Sequence, residues 1–452
     1  MTNANLGSIG NLIWTWLFLP GLFLVSIILT IGSKGLQFRK FGYALRQTAG
    51  KMFSRKQNRP DGISSFQAAA TALGATVGTG NIVGSAQALC LGGPGAIFWI
   101  WVSALLAMIV KYSEICLAIH FRKTIPGNGP MDYIRHGLHS KKLALFYGFM
   151  ALLSSLAMGN IVQVSSITDA FISLADAFVS GPKLDETLSR LAIGFFLAGL
   201  SLVLICGEAK RITNAAELLV PFMVIFFILV SLAVVLQNIQ RLPNVLNTVF
   251  TEAFNPGSIC GGISGISTSQ CIQWAFRRSA FSNEAGLGTS AIAHAAADVK
   301  SAAQQGLWGI FEVFADTIVI SSCTSLCILC SGINIPWGTL SGSELFLNAL
   351  ETVYGNKISA IMLASFMGLF AYTSIMGWAL YGSRCTEYIF GSSAVKTYHL
   401  LFILLIFIGS ILPLESVWIA ADLINATMSV PNLMALVLLL PLVLQIIKDS
   451  FP

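Results

Sequence analysis

LGATVGTGNIVGSAQALCLGGPGAIFWIW, Leu73 to Trp101, is the stretch on which the reading of the whole chain turns. It is apolar enough to lie in a bilayer, yet Gly74, Gly78, Gly80 and Gly84 stand where a spanning helix ordinarily holds leucines. Each glycine weakens a helix by roughly 1 kcal/mol relative to alanine, so this spacing predicts a helix that breaks partway across the membrane. Backbone that leaves its helix inside hydrocarbon is tolerated only when buried in protein or lining a polar cavity, because an unpaired amide or carbonyl there is costly. An interrupted span is therefore expected to border a binding site.

The composition agrees with a membrane setting. Of 452 residues, 55 % are hydrophobic and only 10 % charged, more apolar surface than a soluble fold of this length buries. Long apolar runs alternate with polar or basic spacers, the pattern of an all-α polytopic bundle and unlike the weak alternation of a barrel. The net charge of +6 does not point to nucleic acid. Lys34, Arg39, Lys40, Arg46, Lys51, Arg55, Lys56 and Arg59 share one stretch between spans, and other basic residues gather in alternate loops, as the positive-inside bias requires. Leu12 to Ile31 is a first span whose basic residues follow the apolar run, so it is expected to be retained, with the amino end outside.

These signals predict eleven transmembrane helices. After the first come Ser65 to Leu91, a turn at Gly92-Gly93-Pro94-Gly95, a long return to Arg122, then Leu143 to Phe171, Leu188 to Cys206 and Ala215 to Gln237. The remainder are Ser258 to Arg278, Gly306 to Gly332, Ile358 to Phe390, His399 to Leu412 and Trp418 to Ile447, with the carboxyl end in the cytoplasm. The loop from Arg277 to Gln304 is expected to be cytoplasmic. The chain then divides into an N-terminal helix with a basic cytoplasmic segment (1–62) and two inverted halves of five spans each (63–238 and 239–452). The first helix of the second half carries Gly261, Gly262 and Gly265 amid Ser264, Ser267 and Thr268, mirroring the first glycine-rich break. Interrupted helices at matching positions of inverted halves mark a midplane substrate site in secondary transporters.

Such a pair suits a zwitterion. Free amides and a partial positive charge at Gly78, Thr79, Gly80 and Asn81 would face a carboxylate, and carbonyls around Gly262 to Ser267, Gly265 included, would face an ammonium group. Thr76, Thr79 and Asn81 at the first break, with Thr373 and Ser374 in AYTSIMGW, offer hard oxygens for a sodium ion. Each hydroxyl has the alternative of bonding the preceding turn's carbonyl, so only their convergence makes a site. Gln163 in MGNIVQVSS is a mid-membrane amide in need of partners, a ligand for a polar substrate group or an interhelical bond. Trp378 is read as an apolar wall or as packing. Glu312 and Asp316, at i and i+4, and Asp422 and Asn425 are read as structural or ion-path groups.

Other chemistries fit less well. Cys323, Cys327 and Cys330 have iron–sulfur spacing but lie in an apolar helix, where free cysteine packs as a small hydrophobe. GTGNIVG, Gly78 to Gly84, lacks the strand and βαβ context of a dinucleotide fingerprint, and no Walker A pattern appears. No catalytic residue, no cofactor and no metal beyond the proposed sodium is called for. The partners expected are a small neutral amino acid, sodium and membrane lipid, with no nucleic acid and no obligate protein partner. A proton symporter using Glu312 or Asp316, and an amino-acid sensor that does not transport, are the rival readings.

VGTGNIVG (Val77 to Gly84), GGPGAIFWIW (Gly92 to Trp101), KYSE (Lys111 to Glu114), GPMDYI (Gly129 to Ile134), FSNEAGLGTSAIAHAAA (Phe281 to Ala297), EVFADT (Glu312 to Thr317), Gly377-Trp378 and PNL (Pro431 to Leu433) follow one another in order. In these motifs the chain resembles the alanine or glycine:cation symporter family, part of the group with the leucine-transporter fold. The resemblance covers nearly the whole length. It implies sodium-coupled, sometimes proton-coupled, uptake of alanine or glycine by alternating access in a prokaryotic cytoplasmic membrane. It also implies that Thr79, Gly80, Gln163, Ser374 and Trp378 contact substrate, and that Thr76, Asn81 and Thr373 contact the ion. Ala275 and Ser279 stand where the family has glycines, and Ser383 where it has a glutamate.

Overall fold

The computed structural model of the chain describes residues 12–51, 63–179, 185–205, 209–255, 267–339, 342–412 and 414–451, and nearly all of them are helical. Among the described residues, nine helices are long and apolar enough to cross a membrane, from Trp14–Gly32 to Trp418–Leu438. They match the uninterrupted spans expected from sequence to within a few residues at most ends.

We number the principal helices in chain order. They are α1 (Leu19–Gly32), α2 (Ser65–Thr76), α3 (Ser85–Gly92, entered through a π-turn at Gly80–Gly84), α4 (Ala96–Phe121), α5 (Lys141–Leu156) and α6 (Val162–Phe178, joined to α5 by a π-turn at Ala157–Ile161). Then come α7 (Glu186–Ile205), α8 (Ala209–Gln237), α9 (Thr268–Asn283), α10 (Thr289–His294), α11 (Ala302–Val313) and α12 (Ser321–Ser331), the last two joined by a π-turn at Phe314–Ile320. Finally there are α13 (Asn356–Phe390), α14 (Val395–Gly409) and α15 (Leu414–Leu438).

Burial sorts these helices into a centre and a periphery. α4 is 83 % enclosed over its most apolar stretch, against 22 % for α7 and for α14, so α4 is a core element while α7 presents leucine and phenylalanine outward and α14 leucine and isoleucine. That outward face is what a helix touching lipid requires, since hydrocarbon has no preference for polar groups there.

Two pairs of helices, α2 with α3 and α9 with α10, are interrupted rods. α2 and α9 open on the same device. Ser64 caps the Gln67 amide while Gln67 returns to the Ser64 amide, and Ser267 and Gln270 repeat the exchange, so each capping box satisfies two otherwise orphaned donors. The far ends of the pairs are tied together. Ile63, just before α2, forms a parallel bridge with Ala297, just after α10, and accepts from the Asp298 amide at 2.9 Å. Arg122 at the end of α4 spreads its guanidinium over the carbonyls of Ala295, Ala297 and Val299 in the same segment.

Candidate substrate and cation site

The first interruption lies where the glycine spacing predicts it, and it is short. α2 stops at Thr76, Val77 leaves helical geometry with ψ of 90°, and helix resumes at Gly80. Side chains take up the freed amides. Gly78 N–H donates to Asn81 Oδ1 at 3.1 Å, and Thr79 N–H donates to Gln163 Oε1 at 3.4 Å, with Gln163 held in turn by the Met158 carbonyl at 3.2 Å. The Thr79 hydroxyl is fully buried and has no hydrogen-bond partner among the described residues. An orphaned hydroxyl beside a glutamine is a place for a polar ligand, since leaving it unpaired costs about 1–3 kcal/mol.

The glycines on which the sequence places a second interruption, Gly261, Gly262 and Gly265, are not among the described residues, nor is Ser264, and α9 runs unbroken from Thr268 to Asn283. A break comes afterwards, at Glu284, Gly286 and Gly288, with φ values of 57°, 88° and 79°, and α10 follows. The expected cytoplasmic loop from Arg277 is thus corrected. Residues 278–295 are buried helix, turn and helix. Glycine suits this turn because an L side chain resists positive φ. The turn is clasped from several sides. Lys111 Nζ donates to the Asn283 carbonyl at 2.9 Å, Gly286 N–H to Glu114 Oε1 at 2.9 Å, Asn432 to the Gly286 carbonyl at 2.9 Å, and the Tyr147 hydroxyl to the Leu287 carbonyl at 2.8 Å.

The interruptions meet. A Cβ built on Gly80 would lie 3.2 Å from Ser282 Cα and 3.3 Å from the Phe281 ring, so glycine eases the close approach of the first rod to the end of α9, just before the second break. Asp316, in the π-turn between α11 and α12, stitches them. It accepts from Asn81 Nδ2 at 2.9 Å on one oxygen and from the Ser282 and Thr317 hydroxyls, each at 2.8 Å, on the other. Glu312 faces elsewhere, pairing with Lys111 Nζ at 3.2 Å and His294 Nε2 at 2.6 Å. The carboxyl groups of Glu114, Glu284, Glu312 and Asp316 are each no more than 1 % exposed and Lys111 lies among them, fully buried, so this interior is rich in ionisable side chains.

Oxygens converge on the opposite side of the first break. The Ser374 hydroxyl lies 3.2 Å from the Gly74 carbonyl and 3.1 Å from the Phe370 carbonyl, and the Thr373 hydroxyl lies 2.9 Å from the same Phe370 carbonyl. A hydroxyl carries one proton and cannot serve two carbonyls fully, so this cluster of hard oxygens suits a small monovalent cation. Gly78 is where it touches the break, because a Cβ there would run into Ser374 Oγ. Thr76 bonds a different carbonyl, its hydroxyl 3.2 Å from that of Leu73 in its own helix.

Trp378, one turn beyond Ser374, is fully buried against Gly159 and donates its indole N–H to Glu284 Oε1 at 3.1 Å. Of the expected residues, Gly78, Thr79, Gly80, Asn81, Gln163, Thr373 and Ser374 thus gather around the first break, Trp378 meets the second at Glu284, and Gly265 lies outside the described residues. Asp422 accepts from Arg277 Nε at 3.0 Å and Asn425 joins Ser154 and Met158, both as interhelical ties. Ser282, Glu284, Lys111, Glu114 and Asn432 were not singled out from sequence. The signal available was FSNEAGLG, whose paired glycines behind a polar pair spell a tight turn.

A bundle of membrane-length helices with two interrupted rods in contact at its centre defines a multi-pass membrane transporter. The whole-chain comparison agrees, matching the sodium:alanine symporter family over residues 1–451. The chain belongs to that family and is a cation-coupled amino-acid symporter. It is 36 % identical to an uncharacterized transporter of Haemophilus influenzae, over 99 % of this chain and 95 % of that one. It is 35 % identical to the sodium/alanine symporter AgcS of Methanococcus maripaludis, over 96 % and 93 %. Among solved structures, MhsT in complex with L-phenylalanine superposes with a TM-score of 0.62 at 14 % identity, covering 84 % of this chain and 90 % of that one, a likeness of fold.

Proposed function

We propose that the protein couples inward sodium flow to uptake of a small neutral amino acid, alanine or glycine, by alternating access. The contact between the two interruptions, with the unpartnered Thr79 hydroxyl beside Gln163, carries this reading. The substrate carboxylate takes the amides of Gly78 to Gly80, displacing the Asn81 and Gln163 oxygens that hold two of them in its absence, Gln163 and Ser374 border it, and Trp378 closes the side-chain end. Sodium sits among the Gly74 and Phe370 carbonyls and the Thr373 and Ser374 hydroxyls, with Asn81 connecting it to the break. Cation binding holds the break in its binding form and so raises amino-acid affinity, and the coupling acts in both directions.

Eleven spans follow when the two interrupted rods are added to the nine continuous helices, with the amino end outside and the carboxyl end inside a prokaryotic cytoplasmic membrane. The matching capping boxes at Ser64 and Ser267 support two inverted halves, 63–238 and 239–452, after an N-terminal segment 1–62. One observation favours a second coupling ion. Four buried carboxylates surround a single buried lysine, so a proton carried on Asp316 is the alternative. Counterflow of labelled alanine in proteoliposomes decides, with glycine, serine and both alanine enantiomers as competitors, under imposed sodium or proton gradients. Uptake driven by the proton gradient alone would replace sodium; no uptake under either would end the transport reading.

A further inference from the structure

Trp378 and Glu284 meet across the site from distant parts of the chain, the indole N–H bonding one carboxylate oxygen at 3.1 Å. The other oxygen accepts from the Thr289 hydroxyl at the first residue of α10. Glu284 is one of three non-glycine residues with positive φ among the described residues, and the other two, Lys34 and His139, are exposed. A side chain in the left-handed region costs on the order of 1 kcal/mol or more, and glycine would remove that cost, as it does at Gly286 and Gly288 in the same turn. The position thus keeps a strained, fully buried carboxylate where the backbone alone would favour glycine. The indole faces are clamped already. Gly159 leaves no room for a Cβ beside Trp378, and the Tyr381 ring stands edge-on at 5.5 Å. Glu284 supplies the acceptor for the indole N–H.

We infer that Glu284 is a positioning residue that sets selectivity for small side chains by pinning Trp378, the wall of the amino-acid pocket, to the second interruption. The inference rests on the transport reading above. With the acceptor gone, the buried indole N–H is unpaired and the ring, its faces still held by Gly159 and Tyr381, shifts within its own plane and widens the pocket. Pocket size then ceases to track the state of the second break, and larger neutral amino acids enter. Discrimination by size is already the weakest kind of selectivity, so a small displacement of one wall shows clearly in it.

The test is uptake of alanine and of leucine into proteoliposomes by the full chain and by Glu284→Gln, Glu284→Ala, Trp378→Phe and the double variant Glu284→Ala/Trp378→Phe. Glu284→Ala and Trp378→Phe are each expected to lower the alanine-over-leucine preference about three- to tenfold, chiefly through a lower KM for leucine, the range one hydrogen bond spans. The double variant is expected to be no worse than either single one, and Glu284→Gln, which keeps an acceptor oxygen, to restore most of the preference without moving the sodium half-saturation. Additive losses, an equal fall for both substrates, or a glutamine variant as impaired as alanine would overturn the assignment. Trp378→Phe keeps an aromatic wall without the N–H, and its comparison with Glu284→Gln carries the test if Glu284→Ala does not fold. Should the unaltered chain take up neither amino acid, the transport reading fails; should it transport and the variants select as it does, only the role of Glu284 fails.

Discussion

The side-chain amide of Asn81, on the first interrupted rod, donates to both the backbone carbonyl and the carboxylate of Asp316, at 3.0 and 2.9 Å. Because Asp316 also holds Ser282 of α9, this single carboxylate joins the two rods, and it does so with charge-assisted bonds. Asp316→Asn presents an amide to a ring of donors and is expected to lower alanine uptake at least tenfold, each lost bond to a charged group being worth about 1.5–3 kcal/mol. Initial uptake rates beside the reconstituted amount of protein measure this. Near-normal rates would show that the rods are coupled some other way.

The cation cluster makes a contrast between hydroxyls that look alike in sequence. Ser374→Ala and Thr373→Val each remove an oxygen from the group around the Phe370 carbonyl and are expected to raise the sodium half-saturation of uptake about tenfold. Thr76→Val is expected to shift it less than about twofold, because the Thr76 hydroxyl bonds the Leu73 carbonyl and does not share the Phe370 carbonyl. Sodium titrations of alanine uptake separate the two groups, and a large effect at Thr76 would move the ion toward α2.

Close approach predicts which glycines tolerate a methyl group. A Cβ at Gly159 collides with Trp378, and one at Gly377 comes within 3.0 Å of Ala75 Cα, so alanine at either site is expected to destabilise by about 1–3 kcal/mol and impair uptake. Gly199, in the outward-facing α7, has nothing within 4 Å of the same atom. There alanine is expected to be neutral or to stabilise by up to roughly 1 kcal/mol through helix propensity. Thermal unfolding of the purified variants in detergent reads both signs.

Lys111 and Glu312 are fully buried and 3.2 Å apart. Removing one partner leaves a buried charge unmatched, so Lys111→Met is expected to cost about 3–5 kcal/mol, and adding Glu312→Gln to recover a good part of it. Unfolding midpoints for the single and double variants check the cycle. A double variant no more stable than Lys111→Met would mean that Lys111 matters through the Asn283 carbonyl instead.

Sequence by itself determined the membrane class, the position of nearly every continuous helix and the first interruption, because hydropathy and helix propensity are local and glycine weakens a helix wherever it stands. Thr373, Ser374, Gln163 and Trp378 were legible for a similar reason, as polar or aromatic groups conspicuous in apolar surroundings. Tertiary structure decided the rest. Arg277, Arg278, Asn283 and Glu284 read as the polar edge of a loop, but once Arg277 pairs with Asp422, Lys111 meets the Asn283 carbonyl and Glu284 meets Trp378, the segment can lie buried and turn there. Likewise Glu312 and Asp316 were expected to share one face of a helix, and the π-turn from Phe314 to Ile320 accompanies their separate tasks. Burial of charge depends on partners far along the chain, as Asn81 and Asp316 are to each other, and such partners are chosen by packing, not by any window of neighbouring residues.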